Sequence, residues 1–314
     1  MKGMLVSEIA DLLGYEIAGE DCEISGISWF DSAGERDIAV IKRKNDLFHT
    51  SAKVVLTKPI IVGTDKTLLI TFEDIENSFV NVCKVLINSG VLTDYTTPAK
   101  YMLNEHGYYT GKNCSISDSA VIQPGVMIGD NVMIAENCYL EPFAVIGSGT
   151  VLEEEIRIGA GSKIGVPSFY HYYVDGQIKK FDGCGIVRIG RGSSIGCNTV
   201  IQRGTISDTI IGANTMIGNV IDIGHDVKIG NNCKIVSQAG IAGNTCIKDN
   251  VTIYGQVGIS NSIVIGSNVV IKAKSLVSKS VNDNETIYGS FGRQYSDEMK
   301  LTAKARRFFE GKDE

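Results

Sequence analysis

An aliphatic residue returns every six positions through most of this chain. From Ile116 the series runs Ile122, Ile128, Ile134, Leu140, Ile146, Leu152, Ile158 and Ile164. It resumes at Ile189, Ile195 and Ile201, slips briefly, and continues from Ile211 to Val277. All 24 of these positions are aliphatic and 21 are isoleucine. A period of six fits neither a helix at 3.6 nor one continuous strand at 2. It fits a short strand and a corner, repeated, with the β-branched residue turned inward. Three such strands close a triangular coil of 18 residues, and coils stack as parallel strands about 4.8 Å apart. The expected fold is mainly β, a parallel β-helix of hexapeptide repeats.

Composition agrees with such a core. The chain has 35 glycines but only 7% aromatic residues, so aliphatic side chains and tight turns must fill it. Glycine often follows the hexad isoleucine, as at Gly129, Gly212, Gly224 and Gly230, and is expected there to supply the left-handed dihedrals of the corners. A net charge of −6 argues against nucleic acid as a partner, because a binder needs a basic stripe to displace counterions. The eight scattered cysteines form no CxxC pair, which reads as reduced thiols of a cytoplasmic protein and as no metal site. The N-terminal stretch carries acids within its apolar part and no run of 18 apolar residues occurs, so neither a signal peptide nor a transmembrane segment is expected.

Three regions follow. Residues 1–98 lack the hexad and read as a small α/β domain. It has a helix in LVSEIADLLGYEI with Ser7 as N-cap, strands in AKVVLTK, KPIIVGT and KTLLITF, and a second helix ending at Gly90. Residues 99–281 form the β-helix, broken by a loop at 166–188 that holds Phe169, Tyr170, His171, Tyr172 and Tyr173. A loop this long, thrown out of a regular coil, is expected to serve function. Residues 282–314 form a helical extension, where Lys300, Lys304, Arg306 and Arg307 make a basic cluster suited to an acidic carrier.

His225 is the one histidine within the regular coil, next to a corner and facing outward. One coil of 18 residues further on stands Gly243, directly above it. A histidine base beside a glycine backbone N–H is the minimum equipment for acyl transfer: the imidazole takes a proton from an attacking amine or hydroxyl, and the N–H stabilises the oxyanion. Asp226 or Asp222 would orient the ring.

The chain also resembles the UDP-3-O-acylglucosamine N-acyltransferases of lipid A assembly. ISGISWFDSAGERDIAV is similar to the uridine-binding domain of that family, NTVIQRGTISDTIIG to its D-R-G-x-x-D-D-T-I-I-G segment, and IDIGHDVKIG to its Q-I-A-H-N-V-x-I-G catalytic segment. The resemblance implies a left-handed β-helix, a homotrimer, His225 as the base and Gly243 as the oxyanion donor. It also implies no bound cofactor. The acyl donor is then a phosphopantetheine thioester on acyl carrier protein, or an acyl-CoA, and the acceptor is a UDP-linked amino sugar. Departures fall on the recognition parts. The uridine segment becomes VIKRKND with Arg43 in place of its asparagine, Ser262 replaces a second histidine, and SFYHYY replaces a G-F-G-Y loop. Arg43, Ser262, Phe169, Tyr170 and His171 are therefore the expected substrate contacts. Other readings of the same fold are an acetyl-CoA-dependent nucleotide-sugar acetyltransferase and a non-catalytic binding protein.

Overall fold

The computed structural model describes residues 2–41, 46, 49–59, 64–289 and 294–309. The hexad region is a three-faced parallel β-helix built almost entirely from two-residue strands. On one face Ile116, Ile134, Leu152, Ile189, Ile211 and Ile229 stack in register. On the second, Ile122 to Ile271 and then Ile287 do so. On the third, Ile128, Ile146, Ile164, Ile201, Ile223, Ile241, Ile259 and Val277 do so. Except at the two ends, where Ile116, Ile122 and Ile287 are half-buried, these residues form one continuous aliphatic core, joined by corner residues such as Val132, Cys138 and Val227.

The corners differ from the expectation in one respect. The positive φ recurs with period six, but asparagine takes it most often: Asn131, Asn198, Asn214, Asn232, Asn244, Asn250 and Asn268 lie between φ 53 and 60°. The hexad glycines mostly keep negative φ and serve a different need. A Cβ on Gly212 would stand 2.5 Å from the carbonyl carbon of Gly230 in the next coil, and one on Gly224 would stand 2.7 Å from the Gly243 nitrogen. These glycines let one coil approach the next, while asparagine, which tolerates the left-handed region, turns the chain.

The N-terminal unit is a five-stranded sheet in the spatial order 16–18, 67–70, 54–57, 37–40, 26–29, with one antiparallel edge strand. Two helices, α1 (Val6–Leu13) and α2 (Ile75–Asn88), cover it. The strands expected in AKVVLTK and KTLLITF are present as Val54–Thr57 and Thr67–Ile70; that in KPIIVGT falls largely outside the described residues. Ser7 is inside α1 and does not cap it. Leu5 is the N-cap residue, and the Ser7 hydroxyl donates to Asp21 Oδ2 at 2.7 Å. The second helix ends as expected, with Gly90 at φ 73° just beyond it. The C-terminal helix α3 (Tyr295–Phe309) buries none of its residues.

Both breaks in the hexad leave from the same edge, the corner between the third face and the first. Ile164 pairs with Ile201, 37 positions on. The extra chain forms a hairpin, Tyr170–Val174 paired with Gln177–Phe181. Ile201 pairs with Ile223, 22 positions on, so the next coil carries four surplus residues, accommodated within the segment 203–208. The hairpin alternates. Tyr170, Tyr172 and Phe181 turn inward and join Phe79 of α2 in the core of the N-terminal unit, which also takes in Ile206. Phe169 and Tyr173 are exposed.

The two roles assigned to glycine and asparagine are separable. Gly212→Ala is expected to lose about 1–3 kcal/mol through overpacking against the next coil. Asn232→Gly is expected to stay within about 0.5 kcal/mol. Urea unfolding of both variants measures the contrast.

Candidate active site

His225 and Asp226 occupy the shared corner one coil beyond the four-residue surplus. Asp226 adopts φ 58°, the turning conformation that asparagine takes elsewhere. This carries its side chain into the protein, where it is 4% exposed. Its carboxylate accepts the backbone N–H groups of Thr205 at 3.0 Å, Ile206 at 3.3 Å and Ser207 at 2.9 Å. One oxygen of the same carboxylate stands 2.7 Å from His225 Nδ1. The surplus residues thus form a ring of amide donors around a buried acid, an anion-binding arrangement of successive N–H groups.

The imidazole has further contacts. Thr205 Oγ1 lies 3.0 Å from Nδ1. The Tyr170 ring meets the imidazole edge-on at 5.6 Å between centroids and 85°, and itself packs on Phe79 at 5.4 Å. Burial pushes the Tyr170 phenol well above its ordinary pKa. One coil further on, against the ring, is Gly243: a Cβ there would stand 2.6 Å from both Cε1 and Nε2 of His225. Only glycine leaves room for the imidazole in this orientation. Among the described residues no carbonyl accepts the Gly243 N–H. With Nδ1 facing the carboxylate, Nε2 is the nitrogen on the Gly243 side, and the side chain is 13% exposed.

Beside this corner a cavity of about 290 Å³ opens between the N-terminal unit and the coils. Its walls include Trp29, Asp31, Ser32, Asp46, Lys228, Asn244 and Ser262. Lys228 crosses it to the Ser32 hydroxyl and to Asp31, 3.5 Å away. Ser207 fastens the two units together, receiving the Trp29 N–H at 3.2 Å and lying 3.1 Å from the Ser28 hydroxyl. Arg203, 3% exposed, spans the same seam, donating to the carbonyls of Tyr95 at 2.8 Å and Gly165 at 3.0 Å. Its burial lowers the guanidinium pKa.

The sequence-predicted residues divide accordingly. His225, Asp226 and Gly243 come together, with Tyr170 against the ring and Ser262 on the cavity wall. Asp222 lies outward on the third face, 3.5 Å from the Gln202 amide; the acid in contact with His225 is Asp226. Phe169 and His171 point away on the exposed side of the hairpin, their rings 5.8 Å apart. Lys300, Lys304, Arg306 and Arg307 lie exposed on α3. Arg43 falls outside the described residues. Thr205, Ser207, Arg203 and Lys228 were not singled out from sequence. Carrying the coil arithmetic back through the slip between Ile201 and Ile211 would have brought 203–208 under His225.

Comparison with known proteins follows the same geometry. The family pattern described as bacterial transferase hexapeptide (six repeats) matches residues 107–142 and 208–243, and the second match contains both His225 and Gly243. The chain carries the hexapeptide repeats of that pattern over these two stretches and is similar to acyltransferases of UDP-sugars. It is 43% identical over 58 residues to the UDP-3-O-acylglucosamine N-acyltransferase of Rickettsia conorii, a segment covering 18% of this chain and 17% of that relative. Among solved structures, the UDP-N-acetylglucosamine acyltransferase of Francisella novicida superposes with a TM-score of 0.53 at 28% identity. That match covers 64% of this chain and 73% of the other. Among the described residues, no three histidine, cysteine or carboxylate side chains gather as a metal site, no helix is long and apolar enough to cross a membrane, and the eight cysteines are free thiols.

Asp226→Ala would leave three buried amide donors without their acceptor and take the nearer oxygen from His225 Nδ1. The expected cost is about 3 kcal/mol or more, seen as a lowered denaturation midpoint. Asp222→Ala, on the open face, should leave the midpoint within about 0.5 kcal/mol of the parent.

Proposed function

We propose that this protein transfers an acyl group from a thioester to the amine of a UDP-linked amino sugar. The observation that carries the reading is the imidazole of His225, backed at Nδ1 by buried Asp226 and lying against Gly243. In the reaction His225 Nε2 takes a proton from the attacking amine as its nitrogen bonds to the thioester carbonyl carbon. The oxyanion that forms accepts the Gly243 N–H. The C–S bond then breaks, and the imidazolium returns its proton to the leaving thiolate. Asp226 stabilises the imidazolium between these steps, as a buried acid does behind a histidine base. The names of the relatives support a UDP-sugar as acceptor, and the cavity of about 290 Å³ between the two units, walled by Asp226, Lys228 and Asn244, is the place assigned to such a group. Ser262 on its wall and Arg43 are assigned to substrate recognition, and Tyr170 to seating the ring of the base.

For the donor we assign acyl carrier protein, with acyl-CoA as the alternative. The support is the uncovered basic cluster of α3, which suits an acidic partner. The family resemblance supports a homotrimer, and eight free thiols suit the reducing cytoplasm. The Francisella relative's name points to a sugar whose nitrogen is already acylated, so a hydroxyl acceptor is the second reading; the same base and oxyanion donor serve it.

His225→Ala is expected to lower kcat by about 10²–10⁴-fold with little change in folding, measured by product mass spectrometry with carrier- and CoA-linked donors and UDP-amino sugars. Full activity in that variant would remove the base assignment. Replacing Lys300, Lys304, Arg306 and Arg307 by glutamate should raise KM for a carrier-bound donor at least about tenfold and leave KM for acyl-CoA unchanged. Equal effects on both donors would count against the carrier assignment.

A further inference from the structure

The base assignment leaves one close neighbour of His225 without a role. Thr205 is fully buried and is brought to the ring by the four surplus residues of its coil, the one whose Ile201 pairs with Ile223, 22 positions on. It meets the dyad twice. Its N–H donates to Asp226 Oδ2 at 3.0 Å, and its Oγ1 stands 3.0 Å from His225 Nδ1. Nδ1 therefore faces two oxygens at once, the carboxylate at 2.7 Å and the hydroxyl. A neutral imidazole has one N–H, and the nitrogen that carries it is set by the acceptors it faces. Turning the ring over would set a carbon against both oxygens and lose both contacts.

We propose that Thr205 is a positioning residue for His225. Its hydroxyl adds a second acceptor on the Nδ1 side, so that the ring keeps its proton there and presents a bare Nε2 towards Gly243. The catalytic part of this inference rests on His225 being the base; the geometric part does not. A regular 18-residue coil would place a corner residue, and no folded-back segment, beneath His225. The four extra residues supply both the amides that hold Asp226 and the hydroxyl that shares Nδ1. The adjacent side chain, Ile206, packs into the core of the N-terminal unit, which anchors the segment from its other side.

The chain has only four histidines, so ring-nitrogen NMR of protein labelled with [¹⁵N]histidine is uncrowded, and His225→Gln identifies the signal. In the parent protein, with the ring neutral, His225 is expected to show a protonated Nδ1 and an unprotonated Nε2. Thr205→Val keeps the side-chain shape and removes the hydroxyl. It should give a measurable fraction of the other tautomer and a kcat lowered about tenfold with KM unchanged. Thr205→Ser should restore both. If the valine variant does not fold, Thr205→Ala carries the same comparison. A valine or alanine variant whose His225 keeps the parent's single tautomer overturns the proposal. A shifted tautomer with unchanged kcat supports Thr205 as positioning residue and counts against His225 as base, so the two failures read differently.

Discussion

The carboxylate of Asp226 accepts three successive amide N–H groups and faces one imidazole nitrogen, all within a single corner of the coil. A buried acid is tolerated only when its oxygens are fully engaged, and nothing in a regular hexad supplies that many donors at one point. The requirement accounts for the break in the repeat. Four surplus residues fold back beneath the corner and turn their amides towards Asp226. Their side chains then have tasks of their own: Thr205 reaches His225, Ile206 enters the neighbouring core, and Ser207 holds the strand that ends at Trp29. The N-terminal unit is thereby joined to the site by hydrogen bonds rather than merely lying beside it.

The coil makes this arrangement possible because its registers are strict. Inward isoleucines stack in three ladders, and the hexad glycines let backbone approach backbone at distances a Cβ would forbid. Gly243 is the limiting case, since what would collide with its Cβ is the imidazole itself. The same absence of a side chain that allows coils to close up elsewhere here makes a seat for a ring. Tyr170 meets the same ring edge-on, with Phe79 of α2 as its support.

The period of six was enough to read the β-helix, and adding 18 to His225 was enough to find Gly243. Both depend on geometry that repeats, and repeated geometry leaves a periodic trace in the residues. What escaped was local. The choice between Asp226 and Asp222 turned on a positive φ at 226, which the sequence marks only by its six-residue spacing from the asparagines at the other corners. The glycines were read as turn-makers because glycine and asparagine share that preference; only the distance to the next coil separates them. Ser7 looked like a cap, but the strand before α1 leads straight into it and Leu5 takes that place. The hairpin aromatics read as one cluster, whereas the alternation of a strand sends Tyr170 and Tyr172 to one side and Phe169 and Tyr173 to the other. The strand Gly26–Trp29, which brings Trp29 to the cavity wall, is four residues long, too short to show a period.

A stack of coils has nearest neighbours only along its axis, so fraying enters from its two ends and moves inward one turn at a time. The corner of His225 lies well inside both. On one side stand the coils through Ile122, Leu140 and Ile158, on the other those through Ile253 and Ile271. The terminal turns can open and close many times without disturbing the dyad. The N-terminal unit grips the stack at this middle corner through Ser207, Arg203 and the hairpin. It works as a clasp around the turns that must stay shut, and leaves the ends free to breathe.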